Sequence, residues 1–148
     1  MVRLDIRKQQ SEARSARDLA LGIWDNSGGK LIGRITLHSV VWGVSRSCGL
    51  GYWLDKKWSG RALMRQAVAT MTSFCFEELG MHKVWASVQP ENVYSLKLLE
   101  DLGFVCEGSR RKELFINGSW RDHFLYSVID EEYELIADHW LERGWLGN

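Results

Sequence analysis

The ten residues Lys56-Lys57-Trp58-Ser59-Gly60-Arg61-Ala62-Leu63-Met64-Arg65 carry the clearest chemistry in this sequence. Four cations stand among them, and no acid follows Asp55 until after the stretch ends. A strand-like run, Leu50 to Asp55, precedes them and a long helix-like run follows. The first N–H groups of a helix lack internal partners, and the helix dipole places partial positive charge there. A strand, a tight glycine turn and a helix start therefore suit a phosphate group. Gly60 and Ala62 leave its oxygens room to approach the backbone. The competing reading is a solvated basic turn capped by Ser59, and short glycine motifs alone do not separate the two. Downstream, Asn92 and Ser95 open a second helix-like run, where a local reading makes Asn92 an N-cap and Ser95 a satisfied helix serine.

These residues need a scaffold, and the composition supplies one. With 148 residues, 45% of them hydrophobic and 26% charged, the chain has the profile of one globular domain spanning residues 1–148. The net charge is zero, which argues against nucleic acid as the main partner and makes the basic cluster a local feature. The three cysteines, Cys48, Cys75 and Cys106, fit neither a metal pattern nor a disulfide framework. Each is expected to be a buried small apolar residue, in a reducing cytoplasm and with no metal. No signal peptide and no apolar run of membrane length is visible, so no membrane partner is expected.

Periodicity sets out the elements. Arg3 to Arg17 reads as a surface helix or a frayed start. Leu19–Trp24 and Leu31–Leu37 read as strands around the turn Asn26-Ser27-Gly28-Gly29, and Ser47–Asp55 as a third. Leu63, Met64, Ala67, Val68, Met71, Phe74, Cys75 and Leu79 have helical spacing, with Ser59 as N-cap and Gly80 as stop. Val84–Val88 alternates as a strand. A short helix from Asn92 to Leu102 turns Leu96, Leu99 and Leu102 inward. Phe104–Ile116 and Trp120–Ile129 form a hairpin at Asn117-Gly118, and Glu131–Trp145 is an amphipathic helix. Hairpins at both ends with strand–helix–strand units between them predict an α/β fold with a mixed sheet flanked by helices.

With that order, the chain resembles the GNAT superfamily of acyl-CoA N-acyltransferases, in particular its RimJ/RimL-type branch of ribosomal-protein N-terminal acetyltransferases. Three segments between about Leu19 and Tyr133 carry the resemblance. Gly51-Tyr52-Trp53-Leu54-Asp55 with Trp58-Ser59-Gly60-Arg61-Ala62 is similar to the fourth strand and its pyrophosphate turn, whose Gln/Arg-x-x-Gly-x-Gly/Ala pattern falls on Lys57, Gly60 and Ala62. Pro90-Glu91-Asn92-Val93-Tyr94-Ser95 with Leu99-Glu100-Asp101-Leu102-Gly103-Phe104 resembles the Pro-x-Asn-x-x-Ser and Leu-x-x-x-Gly-Phe run. Glu107-Gly108, then Phe115 to Asp122 and Tyr126, resemble the last hairpin.

The resemblance implies a mostly antiparallel central sheet with two strands splayed apart, acetyl-CoA as co-substrate and a primary amine as acceptor. It places the pyrophosphate on the backbone of Trp58, Ser59, Gly60, Arg61, Ala62, Leu63 and Met64, with Lys57 and Arg61 adding charge. The pantetheine arm would run beside Trp53 and Leu54 and touch Asn92. Ser95 would protonate the departing thiolate. A family glutamate that serves as base is replaced by Leu114, and strand alternation turns the neighbouring Glu113 to the opposite face. Asp122, His123 or a water is left as the base, with Asp122 matching a recurring family acid that has an equally good reading as a hairpin anchor. Tyr126 is expected to pack, and Cys106 lacks the support a nucleophile needs.

Few residues precede Leu19, so the family's first strand and acceptor-side helices are expected to be missing. The exposed edge that this leaves suggests a homodimer. Two readings follow. One is an N-acetyltransferase acting by direct transfer on a protein N-terminus or small amine. The other is a CoA-binding or dimerising remnant that has lost catalysis.

Overall fold

In a computed structural model, residues 2–4, 18–60 and 62–147 are described. Seven strands form one sheet: β1 (Val2–Leu4), β2 (Leu19–Asp25), β3 (Leu31–Val41), β4 (Ser47–Leu54), β5 (Lys83–Val88), β6 (Val105–Ile116) and β7 (Ser119–Ile129). Their spatial order is β1-β2-β3-β4-β5-β7-β6. Among the described residues, only β4 and β5 run parallel, and every other neighbouring pair is antiparallel. Among the described residues there are three α-helices: α1 (Leu63–Glu77), α2 (Val93–Asp101) and α3 (Asp130–Glu142).

Local chemistry explains the turns. Asp25 accepts hydrogen bonds from the backbone N–H groups of Ser27 and Gly28 and from the Ser27 hydroxyl, which bends the chain between β2 and β3. Asn117 and Gly118 both take positive φ, 50° and 81°, the geometry that a two-residue hairpin between right-twisted strands requires. α1 ends at Gly80, where φ is +68°, and the Met81 N–H returns to the Cys75 carbonyl at 3.0 Å.

One face of the sheet holds the core. Ile23, Ile35, Leu37, Cys48, Leu50, Val84, Ala86 and Val128 pack with Met64, Ala67, Val68 and Met71 of α1 and Leu98 and Leu99 of α2. α3 closes it through Trp140, 0% exposed, whose indole N–H donates to the Leu102 carbonyl at 3.0 Å. Tyr133 donates from its hydroxyl towards Ser73 and Glu77 of α1. The other face carries Arg34, Thr36, His38, Gly49, Gly51, Trp85 and Ser87, and none of these belongs to the core cluster.

The expected order holds from Leu19 onward, with corrections at particular residues. Val2–Leu4 pairs with Ile23–Asp25, so a first strand is present where a helix and a missing strand were expected. Three residues are too few to show alternation. The rest of the Arg3–Arg17 helix lies outside the described residues. The pairing also covers one end of β2, which removes part of the ground for the expected homodimer. In α2 it is Leu98 that is fully buried, and Leu96 only packs against the core. Cys48 and Cys75 are buried as expected, whereas Cys106 is exposed because it lies on the outermost strand.

Candidate active site

The splaying of two strands creates the site. β4 and β5 pair only through Ser47–Lys83, Cys48–Val84 and Gly49–Trp85. Beyond Gly49 they part, although β4 continues to Leu54 and β5 to Val88. Packing sets this point: a Cβ on Gly49 would lie 2.5 Å from the His38 ring and 2.9 Å from that of Trp85. A cavity of about 210 Å³ occupies the fork, lined by Leu50, Gly51, Tyr52, Ser87, Val88, Gln89, Asn92, Ser95 and His123. Tyr52 and Ser95 approach it from the helix side, and Ser87 and His123 from the open face. Residues of both faces of the sheet therefore line the cavity.

On the helix side, Tyr52 and Ser95 share a 2.6 Å hydrogen bond between their hydroxyls. Burial pushes the Tyr52 phenol up to about 12, so it keeps its proton at neutral pH. Asn92 caps α2: its side-chain oxygen accepts from the Ser95 N–H at 3.1 Å. Asn92 also lines the cavity, so one residue both caps the helix and faces the fork. Tyr52 carried no expectation of its own, because its partner lies 43 residues away and only the fold joins them.

The glycine turn leads from β4 to the start of α1. Asp55 accepts from the Lys57 N–H and holds a single 3₁₀ turn, Lys56–Trp58. Ser59 is not the N-cap of α1. Its hydroxyl donates to the Lys56 carbonyl at 2.8 Å, closing the 3₁₀ turn instead. Gly60 follows with φ +78° and then Ala62 with φ +58°, which is the N-cap and offers no capping side chain. α1 thus begins with no acid in its first turn and no side-chain cap. Leu63 and Met64 bury their side chains, so only their backbone faces the turn. Lys57 and Ser59 are exposed, Trp58 packs partly against the core, and Arg61 lies outside the described residues. Arg65, in the first turn of α1, bonds Asp101 at 2.6 and 3.2 Å. Lys97 and Arg65 together hold the Asp101 carboxyl below the usual range.

The open-face side departs furthest from expectation. In the pairing of β6 with β7, Arg110 faces His123 and Leu114 faces Arg121, so four steps along one strand match two along the other. The bulge places Lys112 at φ +48°. Alternation fails there, and the expected outward turn of Glu113 is corrected. Its carboxylate accepts from Arg110 at 2.6 Å and Ser87 at 3.4 Å, and lies 3.8 Å from Nδ1 of His123. Leu114 is 48% exposed. Asp122 is exposed and alternates away from His123; its carboxylate accepts from the Lys112 N–H at 2.8 Å. It is the anchor of the bulge and is not brought into the cavity. Trp53, 57% exposed, lies in a shallow groove with Trp24, Leu31 and Arg34. The fork wall is formed by Leu50, Gly51 and Tyr52, without the side chains of Trp53 and Leu54. Tyr126 packs and donates to Glu100 at 3.0 Å.

A family model described as an acetyltransferase (GNAT) domain matches residues 3–105. The chain belongs to the GNAT acetyltransferase family. It is 33% identical over 129 residues to a probable N-acetyltransferase of Bacillus subtilis, YjcK, covering 87% of this chain and 71% of that one. It is 33% identical over 112 residues to the [ribosomal protein uS5]-alanine N-acetyltransferase of Escherichia coli, covering 76% and 58%. The structure of Mycobacterium smegmatis RimJ in complex with CoA-disulfide superposes with a TM-score of 0.82 at 32% identity, over 93% of this chain and 66% of that one. The chain thus spans between about three fifths and seven tenths of these relatives' lengths. Among the described residues, no group of histidine, cysteine, aspartate and glutamate could hold a metal. None of the described helices is long and apolar enough to cross a membrane.

Proposed function

We propose that this GNAT chain is an acetyl-CoA-dependent N-acetyltransferase that passes the acetyl group directly to one primary amine, with a peptide N-terminus as the favoured acceptor. The observation that carries the reading is the cavity in the fork, which is lined by residues of both the helix side of the sheet and its open face. CoA would enter from the helix side. Its pyrophosphate would rest on the uncapped start of α1 and its arm would run along β4 from Leu54 towards Gly51. The thioester would then lie in the fork, with the amine arriving from the open face. Attack of the amine nitrogen on the carbonyl forms the C–N bond and breaks C–S, with the Ser95–Tyr52 pair donating to the departing sulfur.

Two features support an N-terminal amine over a polyamine. Glu113, the carboxylate beside His123 on the open face, is already paired with Arg110, and its other oxygen is buried, so it is a poor partner for a polycation. An α-amine, with an ordinary pKa near 8, also exists partly as the free base at neutral pH and asks less of a base.

Thermal shift with acetyl-CoA, CoA and desulfo-CoA tests the cofactor. A thiol-release assay against N-terminal peptides, free amino acids and spermidine tests the transfer. No shift with any of the three CoA forms would sink the reading. A shift without thiol release from any acceptor would leave the CoA-binding remnant in its place.

A further inference from the structure

We infer that His123 takes the proton of the attacking amine, and that Glu113, delivered by the β6 bulge, positions its ring and balances the charge it acquires. The inference rests on the acetyl-transfer reading above and deepens it. His123 is 3% exposed yet lines the cavity. Its Nδ1 lies 3.1 Å from the Arg121 carbonyl, which can only accept, so that nitrogen carries the hydrogen. In the neutral ring Nε2 is then the acceptor, and no described residue occupies it.

The surroundings suit a ring that gains a proton. Glu113 from β6 stands 3.8 Å from Nδ1, and one of its carboxylate oxygens is buried without a hydrogen bond. Arg110 from β6 and Ser87 from β5 bind its other oxygen and fix its place. Tyr52 from β4 and Ser95 from α2 complete the far wall of the cavity. Orienting one nitrogen fixes the tautomer, and the carboxylate stands beside the ring where a gained charge would fall. Glu113 stands on the far side of the ring from any acceptor, so it acts through His123.

The step balances. The amine nitrogen bonds to the acetyl carbon and its proton passes to Nε2 of His123. Sulfur leaves with the C–S electron pair and takes a proton from Ser95, which Tyr52 replaces. Solvent afterwards removes one proton from His123 and returns one to Tyr52. The two walls of the cavity thus divide the proton traffic.

The test uses the whole chain with acetyl-CoA and an acceptor peptide. His123→Ala should lower kcat at least about 100-fold and keep the thermal shift given by acetyl-CoA. Added imidazole should restore part of the rate, because the truncated side chain leaves space in the cavity. Glu113→Gln, which keeps the size and loses the charge, should lower kcat about tenfold with the KM for acetyl-CoA unchanged, and Glu113→Asp should recover part of it. An unchanged rate in His123→Ala, or a loss that imidazole does not relieve, overturns the inference. The ¹⁵N spectrum of the His123 ring supplies a reading independent of turnover. A neutral ring with its hydrogen on Nε2 overturns the inference even in an active enzyme. A hydrogen on Nδ1 in a protein that acetylates none of the peptides or small amines overturns acetyl transfer instead.

Discussion

The two ends of the candidate site are built from different materials. At the helix end, Gly60, Ala62 and the first residues of α1 present mostly backbone, since Leu63 and Met64 are buried and Arg65 is tied to Asp101. At the open-face end, His123, Glu113, Ser87 and Arg110 meet through side chains, and their meeting depends on a bulge. A backbone site tolerates changes of residue type so long as φ and charge are kept. A side-chain site tolerates changes of neither type nor register.

The largest effect should come from placing a side chain and a negative charge in the backbone site. Gly60→Glu is expected to weaken CoA on the order of 100-fold, about 2.7 kcal/mol. Space is not the obstacle, because nothing lies within 4 Å of a Cβ built there; φ of +78° and repulsion of the pyrophosphate are. Isothermal titration with CoA checks it, and retained affinity would break the contrast between the two ends.

Next is the wall that joins them. Ser95→Ala should lower kcat about tenfold and leave CoA affinity within about twofold, since only a hydroxyl aimed at sulfur is lost. Stopped-flow turnover beside titration separates the two, and equal loss of both would argue that Ser95 only supports the fold.

The bulge itself comes third. Asp122→Ala removes the acceptor for the Lys112 N–H and should loosen Glu113, lowering kcat roughly threefold to tenfold, the scale of one lost hydrogen bond. Asp122→Asn keeps an oxygen acceptor and should restore most of the rate. A reacting carboxylate would not be replaced by an amide, so failure of Asn to restore activity would return Asp122 to catalysis.

The smallest effect concerns Asp101. Its folded-state pKa is lowered by Lys97 and Arg65, so its contribution is present above the ordinary carboxylate value. It is lost as pH falls below that value, 3.8, through the lower folded one. Melting temperature should therefore fall less steeply below about pH 4 in Asp101→Asn than in the parent. At neutral pH, CoA binding should be nearly unchanged if the helix end depends on backbone.

The same contrast decides what the sequence could reveal. Helical spacing located α1, and Asn117-Gly118 located the hairpin, because both signals are local. Gly60 marked the turn, since positive φ selects small residues. Ser59 looked like a cap but closes the preceding 3₁₀ turn, a choice that depends on where the helix begins. The bulge left no trace, because lysine at positive φ has no sequence signature, and with alternation assumed Glu113 was turned outward. The Tyr52–Ser95 bond and the approach of Glu113 to His123 are tertiary contacts that periodicity does not report.

The kink at Lys112 has a second consequence, for the protein's neighbours. β6 is an outer strand of the sheet, twelve residues long and exposed along most of its length. A straight strand of that kind would be a template for another chain to lengthen the sheet. The register break, together with the cationic run Arg110-Arg111-Lys112, denies an incoming strand a continuous ladder. The irregularity that brings a carboxylate to the histidine also makes this edge a poor template for strand addition.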